Sequence, residues 1–312
     1  MEKVLSVYKN GNHQVTIMSD GTKIKETFDP AADHFTYDFA ENVDIKITDY
    51  CDGGCPYCHE NSTIKGKHGD LKSLEKLFKT ITPGTELAIG GGNALAHPDL
   101  IWFLELLKEQ GVVANITVNQ KHIEPYKDLL IDITNRKLVN GIGISLTNSK
   151  TFDKKFVKSL SDNVVIHTIA GVLSEEDLPA ISGMKALILG YKHLRRGNDY
   201  FSDEVIKRIH WLREYLPVVA GITKVLSFDC LGIEQLDPKK TLKIKDEDWN
   251  GLFQGSDTDV KDKDGNITCA TFYIDVPNMT CARMSTAALD KRFTFTSDDD
   301  IKDLFKKSIQ AW

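Results

Sequence analysis

The sequence predicts an α/β protein built on a parallel sheet. Between about residues 43 and 228, short apolar segments typical of strands alternate with segments typical of helices, which gives six βα repeats with short connections. The repeat region holds ~190 residues, fewer than the about 250 that a complete eight-fold barrel typically needs. An open six-stranded barrel and a doubly wound sheet both fit this pattern. In either one, functional residues are expected at the carboxyl ends of the strands.

The first 39 residues predict a short β-hairpin element. Strand-like segments at 4–8 and 14–18 are separated by Asn10-Gly11-Asn12, and a second turn at 19–21 leads to a further strand-like segment at 22–25. Asn or Asp beside Gly favours tight hairpin turns. The element is too short to form an independent domain.

The βα repeats follow this element along the chain. The helix at 98–110 is opened by Pro98 and closed by Gly111, a common pair of helix boundaries. The predicted strands lie at 43–47, 86–89, 114–118, 142–146, 164–169 and 186–189, with a candidate strand at 222–228, and the helices at 71–80, 98–110, 123–134, 152–160, near 175 and at 203–215.

The alternation stops after about residue 231, where a strand at 267–276 and a terminal helix at 299–309 are expected. We therefore predict three parts: an N-terminal element at 1–39, a barrel at 40–230, and a C-terminal extension at 231–312 that packs on the barrel.

Composition and charge exclude several classes of protein. Hydrophobic residues make up 41% and charged residues 27% of the 312, and the net charge of −6 gives no overall attraction to nucleic acid or anionic membranes. The chain shows no secretory signal and no apolar stretch long enough to span a bilayer. We expect a cytoplasmic protein without a membrane partner. Its six cysteines are then thiols, metal ligands or catalytic groups rather than structural disulfides.

Three of these cysteines, Cys51, Cys55 and Cys58, lie within eight residues directly after the first strand of the repeats. Thiolates are soft ligands that suit iron–sulfur clusters or zinc, and the intervening glycines let the loop fold around a compact metal centre. Both cubane clusters and structural zinc sites usually have four protein ligands. A three-cysteine loop therefore leaves one iron of a cluster free, whereas His59 as a fourth ligand would make a Cys3His zinc site.

This loop resembles that of the radical S-adenosylmethionine (SAM) superfamily, in its C-x3-C-x2-C spacing, its position after the first strand, and the aromatic Tyr57 before the last cysteine. The resemblance covers about residues 43–228. It implies a partial (β/α)6 TIM-like barrel, a [4Fe–4S] cluster on Cys51, Cys55 and Cys58, and SAM bound to the free iron. A flavodoxin- or ferredoxin-like reductant supplies one electron, and the resulting 5′-deoxyadenosyl radical abstracts hydrogen from a substrate.

A second motif supports the resemblance. The segment 91–95, Gly-Gly-Asn-Ala-Leu, follows the second strand and is similar to the family's G-G-E-P-L motif. The resemblance implies that Gly91 and Gly92 bring the backbone close to the methionine ammonium of the cofactor. Asn93 replaces the acidic residue, and its amide oxygen can accept a hydrogen bond but carries no charge.

Further cofactor contacts are implied at the ends of later strands. The resemblance places Tyr57 near the adenine, Asn119 and Ser145 near the carboxylate or ribose, and Lys192 near the adenine or the substrate. The same loop carries Arg195 and Arg196, which would otherwise form a solvated basic loop.

The substrate is less defined than the cofactor. A peptide or protein residue is the leading expectation, with a small molecule also compatible. One alternative is a nucleotide or nucleic acid base whose phosphate contacts Lys192, Arg195 and Arg196. Another is a non-enzymatic zinc or iron–sulfur module.

The remaining cysteines, Cys230, Cys269 and Cys281, follow the sixth strand. They are packing residues, a hydrogen-atom donor or ligands of an auxiliary cluster. Cys230 is the candidate donor and catalytic residue, because it follows the candidate strand at 222–228 and the carboxyl end of that strand should face the site.

Overall fold

The computed structural model describes residues 3–32, 34–252 and 260–312. Its N-terminal part is a three-stranded antiparallel sheet of β1 (Val4–Asn10), β2 (His13–Met18) and β3 (Lys23–Thr27), in that order. Val15 and Ile17 of β2 are fully buried and pack with Val113 of the barrel. The predicted hairpin element therefore forms, and one of its faces covers the neighbouring sheet.

The larger sheet is mostly parallel. Its strands are β4 (Asn42–Thr48), β5 (Glu86–Gly91), β6 (Val113–Asn119), β7 (Gly141–Ser145), β8 (Val164–Ile169), β9 (Lys185–Leu189), β10 (Val225–Phe228), β11 (Thr271–Asp275), β12 (Thr280–Ala282) and β13 (Phe293–Thr294).

Strands β4 to β10 pair in chain order and in parallel, as the βα repeats predict. At the other side of β4, β11 pairs with it in parallel and continues through antiparallel β12 to β13. The order runs from β10 at one end to β13 at the other without closing within the described residues, so the sheet forms an open barrel.

Helices connect the parallel strands and flank the sheet. They are α1 (Glu75–Phe78), α2 (Leu100–Glu109), α3 (Lys127–Asn135), α4 (Lys154–Leu160), α5 (Leu178–Ile181), α6 (Arg196–Tyr200), α7 (Asp203–Ile222), α8 (Cys230–Leu236), α9 (Pro238–Thr241), α10 (Asp246–Leu252) and α11 (Ile301–Gln310). No helix of the described residues combines the length and the apolar character of a membrane-spanning segment.

Several helices differ from the sequence prediction at their ends. Helix α1 spans only Glu75–Phe78 of the predicted 71–80, with a 3-10 turn at Lys72–Leu74 before it. Helix α3 starts at Lys127 rather than near residue 123, because Pro125 disfavours a helical conformation of the residue before it. Helix α7 continues through Pro217 to Ile222 instead of ending near residue 215. Leu216 and Val219 are fully buried, and their packing against the core outweighs the hydrogen bond that the proline removes.

The strands have two chemically different faces. On β4, Val43, Ile45 and Ile47 belong to the main hydrophobic core, whereas the intervening Asp44 and Lys46 line a cavity. Because side chains alternate between the two faces of a strand, this pattern directs polar groups to the inside of the open barrel. On other strands the cavity side is apolar, as at Leu187 and Leu189 of β9, so the interior of the barrel is mixed in character.

Candidate active site

A cavity of about 500 Å³ occupies the carboxyl-terminal side of the open barrel. Polar groups reach it from successive strands and from the loop after β4. They include Lys46, Cys55, Tyr57, Cys58, Glu60, Thr117, Asn119, Ser145, His167, Lys192 and Tyr273. A smaller cavity of about 220 Å³ shares Tyr57, Leu146, Thr147 and Ile169 with the first. The sheet edge predicted to carry function is therefore where the open volume lies.

The three-cysteine loop borders this cavity. Cys55 and Cys58 line it, and Cys51 lies at the start of the loop. Burial raises the pKa of Cys51 and of Cys55, and the neighbouring thiol of Cys58 raises both further. Three soft sulfur donors on one loop beside an open cavity fit a [4Fe–4S] cluster that leaves one iron open to a second ligand.

Hydrogen bonds from this chain reach two of the sulfurs. The Gly53 amide donates to Cys51 Sγ at 3.3 Å, and Asn119 Nδ2 donates to Cys55 Sγ at the same distance. The loop itself is fixed by backbone pairing, since the Cys51 amide donates to Thr63 O at 2.9 Å. Asn119, expected to contact SAM, thus lines the cavity but directs its amide nitrogen to a cysteine.

The glycines after β5 are required by close backbone packing. The amide of Gly92 donates to Thr48 O at 2.8 Å, and a Cβ atom on Gly92 would lie 2.0 Å from Tyr50 O. Gly91 has a φ of +114°, which favours glycine, and it lines the cavity. These glycines hold β5 against the residues that lead into the three-cysteine loop, and their contact with the cofactor stays a prediction.

Asn93 lies next to this contact. It is 1% exposed, and its Nδ2 donates to Asp52 Oδ1 at 3.2 Å. Its amide oxygen has no hydrogen-bond partner among the described residues. A buried acceptor without a partner is costly, so this oxygen fits a donor that a ligand supplies, such as the ammonium of SAM.

The other expected cofactor residues are on the cavity wall. Tyr57 lines both cavities, its ring lies 5.5 Å from that of Tyr200, and burial raises its pKa. Ser145 and Lys192 line the larger cavity. The structure therefore brings these three residues together with Cys55 and Cys58, although their individual roles stay predictions.

Cys230 is placed differently from the expectation. It is the first residue of α8, is exposed, and is not part of the cavity wall, which the preceding Asp229 joins instead. Asp229 Oδ1 caps α8 by accepting from the Gly232 amide at 2.7 Å. Cys230 thus lies one residue beyond the cavity wall, at the start of a helix, and its role as a hydrogen donor stays a prediction.

Cys269 and Cys281 are both buried. Cys281 is in the hydrophobic core, where burial raises its pKa to about 12. Cys269 is also a core residue, and Arg283 Nη1 donates to its sulfur at 3.6 Å. These surroundings favour packing over ligation of an auxiliary cluster.

A buried ion network was not foreseen from the sequence. Lys46 is 3% exposed, and its Nζ lies 2.5 Å from Asp49, 2.9 Å from Glu60 and 3.6 Å from Asp275. Burial alone would lower the pKa of Lys46, but the three carboxylates raise it on balance. The network joins β4, the end of the three-cysteine loop and β11. Only the alternation of polar and apolar residues in β4 signals it in the sequence.

His167 is a second unforeseen residue of the interior. It lies on β8 between Ile166 and Thr168 and lines the cavity, and burial lowers its pKa to about 4. Its imidazole is therefore neutral at pH 7 and can both donate and accept a hydrogen bond.

The basic loop after β9 contacts the three-cysteine loop. Arg195 Nη1 donates to His59 O at 3.0 Å and lies 3.3 Å from Glu60, and Arg196 Nη2 donates to Ser62 O at 2.7 Å. Both guanidinium groups thus make contacts within the protein, while the Arg195 side chain is still 46% exposed, and their role as phosphate ligands stays a prediction. His59 Nε2 lies 3.4 Å from Glu60 Oε1.

An open parallel barrel that carries three cysteines beside a cavity at the carboxyl ends of its strands is suited to bind a metal centre next to a substrate. A family model described as the Radical SAM superfamily matches residues 45–227, which is more than half of the 312 residues. The chain belongs to the radical SAM superfamily. It is accordingly an enzyme that uses a [4Fe–4S] cluster and SAM. No curated protein matches the chain.

Solved structures of similar fold include Streptococcus suis SuiB bound to S-adenosylmethionine, with 13% identity and a TM-score of 0.57 over 87% of this chain and 67% of SuiB. SuiB bound to the precursor peptide SuiA matches with 13% identity and a TM-score of 0.56, over 86% of this chain and 65% of SuiB. The chain thus spans about two thirds of the length of SuiB. Native anSMEcpe with bound AdoMet and the Cp18Cys peptide matches with 14% identity and a TM-score of 0.57, over 86% of this chain and 81% of anSMEcpe.

Proposed function

We propose that this protein cleaves SAM at a cluster held by Cys51, Cys55 and Cys58 and uses the radical to abstract hydrogen from a peptide or protein residue. The observation that carries this proposal is the cavity of about 500 Å³ that Cys55 and Cys58 share with polar side chains of the barrel strands. A reactive radical must be formed where the substrate is already enclosed, and this cavity provides that enclosure.

The residues of this chain have separate tasks in the proposed reaction. When bound, the cluster supplies the electron that cleaves SAM into methionine and a 5′-deoxyadenosyl radical. Asn93 Oδ1, which has no partner among the described residues, accepts a hydrogen bond from the methionine ammonium. Tyr57, Ser145 and Lys192 contact the cofactor from the cavity wall. Asn119 orients Cys55 through its hydrogen bond to the sulfur.

A peptide substrate has more support than a nucleotide or nucleic acid substrate. Two of the similar structures, SuiB with SuiA and anSMEcpe with Cp18Cys, contain bound peptides. The nucleic acid alternative depends on the basic loop, whose Arg195 and Arg196 are bound to the three-cysteine loop. We infer that a flavodoxin- or ferredoxin-like protein supplies the electron.

The test uses short peptides encoded beside the gene, each deuterated at its α-carbons. Reconstituted protein is incubated with SAM, dithionite and one peptide, and 5′-deoxyadenosine is analysed by mass spectrometry. We expect one peptide to raise 5′-deoxyadenosine formation above the substrate-free rate, to donate deuterium to it and to change in mass itself. Stimulation by oligonucleotides or nucleotides, with none by peptides, would show that the substrate class is wrong while SAM cleavage stands.

A further inference from the structure

A compact set of metal-binding groups lies at the start of the three-cysteine loop and includes residues outside the cluster motif. Cys51 Sγ, a carboxylate oxygen of Asp52 and a ring nitrogen of His122 all lie within 4.8 Å of one another. His122 follows β6 in sequence and reaches the loop from a strand end two positions away from β4 in the sheet. A Cβ atom built on Gly53 would lie 3.3 Å from Cys51 Sγ and 3.5 Å from His122 Nε2, so the thiol and imidazole face the same small volume.

The histidine is the informative member of this group. His122 is 3% exposed. Its Nε2 lies 2.9 Å from Asp52 Oδ1, yet it makes no hydrogen bond of acceptable geometry to any described residue. A buried ring nitrogen without a hydrogen bond costs free energy unless something else binds it. Asp52 therefore pairs with His122 without the geometry of a hydrogen bond, and the imidazole nitrogen, the carboxylate oxygen and the thiol together form a donor set that a metal ion can bind.

The donor set also selects the metal. Imidazole, thiolate and carboxylate together suit Zn²⁺ and Fe²⁺, whereas Mg²⁺ and Ca²⁺ prefer oxygen ligands alone. Three protein ligands leave a fourth tetrahedral position for water.

We propose that the cluster-free protein binds one divalent transition metal ion, Zn²⁺ or Fe²⁺, through Cys51, Asp52 and His122. The metal takes the place of the thiol proton of Cys51. Because Cys51 is shared, this ion and the cluster exclude each other. The site therefore acts on the iron-free chain, before the cluster is assembled or after it is lost.

The competing explanation for metal binding is the three-cysteine loop itself, with or without His59. The test therefore uses the full chain carrying Cys55→Ala and Cys58→Ala, which removes two thiols and keeps the proposed ligands. Zn²⁺ is added in competition with a chromophoric chelator, and circular dichroism confirms that each variant is folded. We expect one Zn²⁺ per chain in this double variant.

Ligand variants are then made on that background. We expect His122→Gln and Asp52→Asn each to weaken Zn²⁺ binding at least tenfold, and His59→Gln to change it less than twofold. Asp52 is half-exposed, so Asp52→Asn decides the question if the buried His122→Gln fails to fold. Absence of Zn²⁺ from the double variant, or unchanged affinity in the ligand variants, would overturn the proposal. Neither outcome would contradict the proposed SAM cleavage, which depends on the intact three-cysteine loop.

Discussion

At the scale of single residues, Lys46 shows how the barrel interior tolerates charge. Its ammonium group is buried, and removal of water from a charge is costly unless partners replace the solvent. Asp49, Glu60 and Asp275 provide those partners from three separate parts of the chain. Lys46 therefore fixes the end of the three-cysteine loop to the first barrel strand.

We expect Lys46→Met to destabilise the protein by roughly 3 kcal/mol, because it removes the buried cation shared by three carboxylates. Arg195 near Glu60 and Arg292 near Asp275 remain, but both are farther from those carboxylates than Lys46 is. Urea denaturation measures the change. The matched control is Lys72→Met, since Lys72 is 60% exposed and pairs with Asp99 at 2.7 Å. Exposed pairs contribute little, so the control should lose less than about 1 kcal/mol. Equal effects of the two substitutions would contradict the structural role of Lys46.

Gly92 shows a different constraint, which is close approach of backbone to backbone. A methyl group at Gly92 would meet Tyr50 O, which belongs to the residue directly before Cys51. We expect Gly92→Ala to cost about 2 kcal/mol or more and to lower the iron content after reconstitution. Gly90→Ala is the control, because its Cβ atom would have no neighbour within 4 Å. Iron content as high in Gly92→Ala as in the control would mean that the loop position does not depend on this contact.

The residues that the sequence reveals and those that it hides differ in a physical way. Cys51, Cys55 and Cys58 are close in sequence, and their spacing alone predicts a metal site. Lys46 and His122 act through residues that lie far from them in the chain, as with Asp275 for Lys46. Such partners depend on which strands become neighbours in the fold, and the local sequence around a residue does not predict this pairing.

At the scale of elements, one buried carboxylate fastens the N-terminal sheet to the barrel. Glu41 precedes β4 and is fully buried, and it lies 2.7 Å from both His13 Nε2 and Lys25 Nζ of the sheet. Burial opposes ionisation of Glu41, but His13 and Lys25 outweigh it and lower its pKa to about 2.

This lowered pKa predicts how stability depends on pH. A carboxyl group whose pKa is lower in the folded state stabilises the protein above its unfolded pKa, near 4.5 here, and loses that contribution as the pH falls toward 2. The shift corresponds to about 3 kcal/mol. We expect the unfolding free energy of Glu41→Gln to fall less between pH 4.5 and 2 than that of the wild type. Denaturation of the cluster-free protein at each pH measures this difference. The control is Glu75→Gln, because Glu75 forms an exposed pair with Lys79, and it should leave the pH dependence of the unfolding free energy as in the wild type. If Glu41→Gln also kept the wild-type pH dependence, this account would be contradicted.

Strands were easier to predict than helix ends. The six predicted strands of the repeats agree with β4 to β9 because each is a short apolar segment bounded by turns. Helix α7 extends past its predicted end because burial of Leu216 and Val219 offsets Pro217. That compensation depends on tertiary packing, which residue propensities do not include.

At the scale of the whole molecule, the C-terminal part extends the barrel wall beyond β4. Strand β11 pairs with β4 and brings Tyr273 to the cavity and Asp275 to Lys46. The sequence predicts a strand here but not its partner, because more than two hundred residues separate β4 from β11. The division into 1–39, 40–230 and 231–312 stays a prediction, and the pairing of β11 argues that the last part belongs to the site.

The cluster on the three-cysteine loop is the central claim about the whole molecule. Anaerobic reconstitution of the wild-type chain should give about four irons per chain, and dithionite should drive formation of 5′-deoxyadenosine from SAM. Cys230→Ala, which changes an exposed cysteine away from the cavity, is the control and should preserve both results. The account predicts that Cys51→Ala, Cys55→Ala and Cys58→Ala combined lose the iron and the product together. Full iron content and undiminished 5′-deoxyadenosine in that triple variant would contradict it.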